Sequence, residues 1–162
     1  MKSKKNLVFL GMMGSGKSTI GYMLSKKIKM DFVDVDKEIE TEVGMKISEI
    51  FEIKGEIFFR NIEEKLTLDI LKKSDCIISL GGGAFLNKKI QNEVLDNHLS
   101  IWLNWKTNTL IQRIINNKKR PIAFKASKNY LKEIIKKRSN IYSKALHKID
   151  CDKLTKRNII DK

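Results

Sequence analysis

One proline, two cysteines and two histidines are all that 162 residues hold of these types, and aromatic side chains make up 7%. Each scarcity excludes something. A lone Pro121 leaves no proline-rich linker, and no repeat or low-complexity stretch is present. Cys76 and Cys151 stand in no metal-like or redox-like spacing, which argues against a disulfide framework or a thiolate metal centre. Cys76 lies in the apolar run Cys76-Ile77-Ile78 and reads as a small core residue. His98 and His147 are isolated, so no metal site built from protein ligands alone is expected. No apolar run approaches the roughly 20 residues of a membrane span. The basic start, Met1-Lys2-Ser3-Lys4-Lys5-Asn6, precedes an apolar run too short for a signal peptide. A cytoplasmic protein with no membrane partner is expected.

What is abundant is positive charge: 33 Lys and Arg against 19 Asp and Glu, a net +14. Such a balance suits nucleic acid, but equally a small anionic ligand. The lysines are spread along a chain rich in Lys, Ile and Asn instead of forming one basic block with interleaved aromatics. No nucleic-acid partner is expected. The length fits a single domain over residues 1–162, and a 41% hydrophobic content is ordinary for one with a real core.

The most informative stretch is Gly11-Met12-Met13-Gly14-Ser15-Gly16-Lys17-Ser18-Thr19, the G-x-x-x-x-G-K-S pattern of a phosphate-binding loop. It follows the apolar run Leu7–Leu10 and opens a segment of helical periodicity from Lys17 to Lys29. Strand, glycine loop and helix form the context this pattern requires. Its glycines let backbone N–H groups turn inward on phosphate oxygens, and the helix N-terminus adds partial positive charge. Lys17 reaches the β- and γ-phosphates in such loops, and a hydroxyl like that of Ser18 ligates Mg²⁺. An ordinary Gly/Ser turn is the competing reading, and the spaced positions with both flanks argue against it.

Further strands are expected at Asp31–Val35, Cys76–Leu80, Ser100–Leu103 and Lys148–Cys151. Helices are expected over Lys37–Val43, Ile47–Ile53, Glu56–Lys73, Lys88–Asn97, Thr107–Asn117 and Tyr130–Leu146. The alternation predicts a parallel sheet covered by helices on both faces. Ligands then sit at the carboxyl ends of the strands. Three of those ends carry unusual chemistry. The first is the glycine loop. The second is Asp34-Val35-Asp36, whose two carboxylates share a side if the backbone stays extended. One could then hold Mg²⁺ and the other orient an acceptor hydroxyl and take its proton. A helix start with Asp36 as N-cap and Glu38 and Glu40 as first-turn acids is the alternative. The third is Gly81-Gly82-Gly83, more glycine than a turn needs, which suggests backbone laid against a ligand. The preceding strand lacks an acid of its own, so Asp34 is the nearest candidate for the metal.

Only five of the basic residues are arginine, the side chain whose rigid fork matches carboxylate and phosphate. Arg60 lies in a helical stretch, Arg113 in another, and Arg138 in a third. Arg120 sits in the polar segment Asn116-Asn117-Lys118-Lys119-Arg120-Pro121, which reads as a mobile lid over about 116–128. Arg157, near the C-terminus, reads as solvated.

Together these segments resemble the shikimate kinase family. The carriers are the loop Gly11–Gly21, Phe32-Val33-Asp34-Val35-Asp36, Phe59-Arg60-Asn61-Ile62-Glu63, Leu80-Gly81-Gly82-Gly83-Ala84, Arg120-Pro121 and Arg138-Ser139-Asn140-Ile141-Tyr142, in that order over residues 7 to 151. The resemblance implies a three-layer α/β/α P-loop fold of the nucleoside monophosphate kinase type, with a five-stranded parallel sheet. It implies transfer of phosphate from ATP to the 3-hydroxyl of shikimate, in aromatic amino acid biosynthesis. A monomer is expected. By the family pattern Gly14, Ser15, Gly16, Lys17, Ser18 and Thr19 hold ATP, and Ser18 ligates Mg²⁺ with Asp34 behind it. Asp36 contacts the shikimate hydroxyls and is the expected base. Arg60 and Arg138 clamp the shikimate carboxylate beside Gly81, Gly82 and Gly83. Arg120 descends on the phosphates with the lid, and Arg113 lies against adenine. The chain departs from the pattern after the fifth strand. The family often has Arg or Pro there near adenine, whereas this chain has Asp152-Lys153-Leu154-Thr155-Lys156, leaving Lys153 as a weak candidate.

Overall fold

The computed structural model describes residues 5–116 and 127–162, and its strands are short, the central β1 and β3 being the buried ones. The sheet contains β1 (Leu7–Leu10), β2 (Asp31–Asp34), β3 (Cys76–Ser79), β4 (Leu99–Asn104) and β5 (His147–Asp150). Their spatial order is β2-β3-β1-β4-β5, and every pairing is parallel. Parallel neighbours need crossovers, and the helices supply them. They are α1 (Lys17–Ile28), α2 (Val35–Val43), α3 (Ile47–Ile53), α4 (Gly55–Leu71), α5 (Lys88–Asn97), α6 (Thr107–Ile115), α7 (Lys128–Tyr142) and α8 (Lys156–Ile160), with a 3₁₀ turn at Ala84–Leu86.

Alternation along β1 splits the core in two. Val8 and Leu10 join the larger cluster, with Ile78, Trp102, Phe59, Ile90, Ile111 and Tyr142 from the opposing strands and helices. Phe9 faces the other side with Ile77 and Leu103, covered by Ile20 of α1 and Ile159 of α8. Both faces are therefore sealed, which gives the expected three layers.

β1 is the strand where the winding reverses, with β3 on one side and β4 on the other. Such a switch point opens a crevice at the carboxyl ends of the strands. Register fixes what reaches it: Asp34 pairs with Ser79, and Ser79 with Phe9, so the second and third strand ends align with the start of the glycine loop. A buried amide holds the opposite end. Asn6 Nδ2 donates to the carbonyls of Leu71 (3.3 Å) and Lys73 (2.7 Å), and its Oδ1 accepts the Cys76 N–H (3.0 Å).

Element bounds differ from the sequence expectation in one place that matters. β2 ends at Asp34, and α2 begins at Val35, two residues earlier than the periodicity suggested. Asp34, not Asp36, is the N-cap, accepting the Lys37 N–H at 3.4 Å. Asp36 is in the first helical turn, so the two carboxylates are not on one face of an extended strand. The strand signal ran past Asp34 because Val35 is as apolar as a strand residue, and it is fully buried as a helix residue instead. At the C-terminal end, Thr155 caps the five-residue α8 by accepting the Asn158 N–H at 3.2 Å.

Candidate active site

The glycine loop turns on Gly14 (φ 79°) and Gly16 (φ 89°), left-handed positions that a β-carbon would strain. Gly16 is the N-cap of α1 and no side chain caps the helix, so its first N–H groups are left for another acceptor. The first turn also contains no acid. Lys17 is only 8% exposed, and its ammonium donates to the carbonyls of Gly11 (2.9 Å) and Met12 (3.1 Å). That holds the cation across the loop mouth. Beside it is a cleft of about 440 Å³ lined by Gly14, Gly16, Thr19, Trp105, Arg113 and Lys156 among others. The Arg113 guanidinium lies 3.6 Å from the centre of the Trp105 ring. Loop amides, a cation and a flat wall of aromatic and guanidinium groups make a chemistry suited to a nucleoside polyphosphate.

A second group of charges stands across Met12 and Met13. Arg60 and Glu63 are one helical turn apart on α4, and Arg60 Nη1 donates to Glu63 Oε2 at 2.6 Å. Arg60 also meets Glu56 at 3.3 Å, and its guanidinium lies over the rings of Phe59 and Phe51. Glu63 is 3% exposed. Burial pushes its carboxyl above the usual 4.5; Arg60 pulls it back, and Asp36 adds to the rise. From α7, Arg138 Nη1 donates to the Gly82 carbonyl at 3.4 Å, and the Tyr142 hydroxyl, one turn on, donates to the same oxygen. Burial pushes the Tyr142 phenol up to about 12, which keeps it a donor.

The three glycines have no left-handed φ among them, so the turn does not explain them. Close approach does. A β-carbon on Gly81 would meet Asp36 Oδ1 at 2.6 Å and Glu63 Oε1 at 2.9 Å. On Gly82 it would meet the Met13 N at 3.1 Å, and on Gly83 the Arg60 guanidinium at 2.6 Å. The expected ligand-facing backbone is thus, first, the floor against which the charged side chains are laid.

Asp36, Arg60, Gly81, Gly82, Gly83 and Arg138 therefore come together, as do Gly14 to Thr19 with Arg113. Asp34 is buried at the head of α2. Arg120 and most of the 116–128 segment lie outside the described residues. Lys153 does not line the nucleotide-sized cleft; Leu154, Lys156 and Ile159 do. Its neighbour Asp152 is occupied structurally, accepting the Lys106 N–H and the Thr109 hydroxyl, both at 2.6 Å. Sequence reasoning assigned no part to Glu63, Tyr142, Trp105 or Lys156. Glu63 and Tyr142 did stand inside the quoted F-R-x-x-E and R-x-x-x-Y segments. Trp105 offered one signal, a bulky aromatic directly after a strand.

Among the described residues no group of three or more His, Cys, Asp and Glu could hold a metal ion, and no helix is long and apolar enough to cross a membrane. The oxygen donors of Ser18 and Asp34 suit a hard cation such as Mg²⁺, which takes few protein ligands and the rest from phosphate and water.

The chain is similar to known proteins along nearly its whole length. The sequence model of shikimate kinase matches residues 13–162. A shikimate kinase of Sulfurihydrogenibium sp. (strain YO3AOP1) is 40% identical over 157 residues, 97% of this chain and 94% of the relative. One from Bacillus subtilis (strain 168) is 39% identical over 166 residues, 98% of this chain and 86% of the relative. Among solved structures, shikimate kinase from Acinetobacter baumannii in complex with shikimate superposes with a TM-score of 0.90. It is 26% identical, and the match covers 99% of this chain and 90% of that one. The chain belongs to the shikimate kinase family.

Proposed function

We propose that this protein phosphorylates the 3-hydroxyl of shikimate with ATP, giving shikimate 3-phosphate and ADP on the route to chorismate and the aromatic amino acids. The observation that carries the reading is the junction at Met12-Met13. There the phosphate loop meets the group of Asp36, Arg60, Gly82 and Arg138, through Gly82 against the Met13 N and Arg138 against the Met12 sulfur at 3.9 Å. A nucleotide held on one side and a hydroxylated carboxylate on the other share that boundary.

In this account Lys17 and the amides of Gly14, Ser15, Gly16, Ser18 and Thr19 hold the phosphates of ATP. Arg60 and Arg138 bind the shikimate carboxylate, with charge-assisted hydrogen bonds worth about 1.5–3 kcal/mol each. Glu63 fixes the orientation of Arg60. Asp36 accepts a hydrogen bond from the 3-hydroxyl and takes its proton as the O–P bond forms and the bond from the γ-phosphorus to the bridging oxygen of ADP breaks. Ser18, with Asp34 behind it through water, would hold Mg²⁺, which neutralises charge developing on the phosphates. Arg113 borders the base. The reading includes Arg120 descending on the phosphates with a lid over about 116–128, as the polar segment and the family pattern suggest, and a monomeric, cytoplasmic protein with a single domain over 1–162.

An ADP-release assay with shikimate, gluconate, AMP and CMP as acceptors tests the reading. Turnover stimulated by shikimate alone is expected; equal stimulation by another acceptor, or none by shikimate, overturns it.

A further inference from the structure

We infer that Trp105 is a positioning residue for the nucleotide half of the reaction, setting a donor of the phosphate loop and holding Arg113 against the cleft. The inference rests on the reading of that cleft as the ATP site.

Trp105 stands between the end of β4 and the start of α6, and both neighbours are tied to the chain after β5. The Asn104 carbonyl accepts the Cys151 N–H at 2.9 Å, and the Lys106 N–H donates to Asp152 at 2.6 Å. Asp152 also receives the Thr109 hydroxyl, which fixes the first turn of α6. Asp152 thus anchors the platform on which Trp105 sits.

From that platform the indole Nε1–H donates to the Ser15 carbonyl at 2.9 Å. A trans peptide is planar, with C=O and the following N–H pointing opposite ways. Tying Ser15 C=O to Trp105 therefore turns the Gly16 N–H away from Trp105, as a phosphate donor must be turned. Gly16 has no β-carbon, so both signs of φ are open to it and nothing in the residue itself holds this peptide plane in its left-handed setting. The ring face does a second thing. It carries the Arg113 guanidinium at 3.6 Å, and Arg113 Nη1 reaches the Gly14 carbonyl at 3.5 Å. Two successive loop carbonyls are thereby held by one rigid pair, and the exposed Arg113 is kept from swinging into solvent.

The test uses the full chain with Trp105→Phe, which keeps a ring face and removes the N–H, and Trp105→Leu, which removes both. KM for ATP and ADP affinity by calorimetry are read beside KM for shikimate. Trp105→Phe is expected to weaken both nucleotide constants about 2- to 10-fold, the equivalent of one neutral hydrogen bond. Trp105→Leu should weaken them further and shrink the effect of Arg113→Ala in a double-mutant cycle. Shikimate KM should stay within about twofold of wild type, since Arg60 and Arg138 are untouched. Should the Leu variant not fold, the Phe variant decides. Unchanged nucleotide constants in Trp105→Phe, or ATP and shikimate KM rising together with a falling Tm, would overturn the inference and leave Trp105 a packing residue. ADP affinity is read without acceptor, so a wild-type protein inactive on shikimate would sink the proposed reaction while still deciding Trp105.

Discussion

A β-carbon on Gly81 would stand 2.6 Å from Oδ1 of Asp36, well inside van der Waals contact. The two residues come from different strand ends, so the glycine is the space that lets the carboxylate lie where it does. Gly81→Ala should push the Asp36 carboxylate aside and lower kcat about 10- to 100-fold, the effect of misplacing a reacting group by about 1 Å. ADP affinity should be retained. Steady-state kinetics with calorimetry measures both, and an alanine variant with wild-type kcat would detach Gly81 from the positioning of Asp36.

Asp36→Asn keeps the shape and removes the base. Turnover should fall about 10²- to 10⁴-fold, with ATP binding nearly intact. An unchanged kcat removes Asp36 from the base role.

Arg60→Ala should act on one substrate. Losing its charge-assisted hydrogen bonds, about 1.5–3 kcal/mol each, predicts a rise in the shikimate KM of at least about tenfold. An effect confined to ATP contradicts the assignment.

Glu63 carries a pH signature. Its folded pKa lies above the usual 4.5 because of burial, so the folded state binds more protons than the unfolded chain from about that pH upward. The stability associated with this group is full below 4.5 and is lost as pH rises through the folded value. Glu63→Gln has no such loss. The difference in Tm, variant minus wild type, should therefore move in the variant's favour as pH rises from about 4.5, while shikimate KM rises because Arg60 loses its ionic partner. A Tm difference that is flat or moves the other way rejects the burial account.

Asn6 tests the scaffold apart from the chemistry. Its side chain makes three hydrogen bonds far from the crevice, and Asn6→Ala strands the Cys76 N–H and two carbonyls. Loss of about 2 kcal/mol or more in denaturant unfolding is expected, with both KM values unchanged. A variant as stable as wild type would show that water replaces the amide.

Much of this molecule could be read from the residues because it is local. The loop Gly11–Thr19 sets its own strand, turn and helix, and alternating apolar runs specify a parallel sheet with both faces covered. α3 and α5 have the bounds that periodicity gave. The join at Asp34 was misplaced because Val35 suits a strand and a helix equally, and only burial in the tertiary core chooses between them. The three glycines were visible, but not what presses on them, since Asp36, Met13 and Arg60 arrive from elsewhere in the chain. Trp105 and Lys156 were missed for the same reason. Nothing near them in sequence says that β4 and β5 end beside the loop of β1. Lys153 was only a weak candidate because the chain departs from the family pattern there, and which residues of the C-terminal segment line the cleft (Leu154, Lys156 and Ile159) is set by how the short helix packs.

The central claim is that the phosphate cradled by Gly14 to Thr19 goes to one hydroxyl of the carboxylate held by Arg60 and Arg138. Phosphorus–proton correlation NMR on the product of the protein with ATP, Mg²⁺ and shikimate measures this directly. The account predicts a single new phosphate ester whose phosphorus couples to the proton on carbon 3. Inorganic phosphate as the only product, or an ester on another carbon, would contradict it.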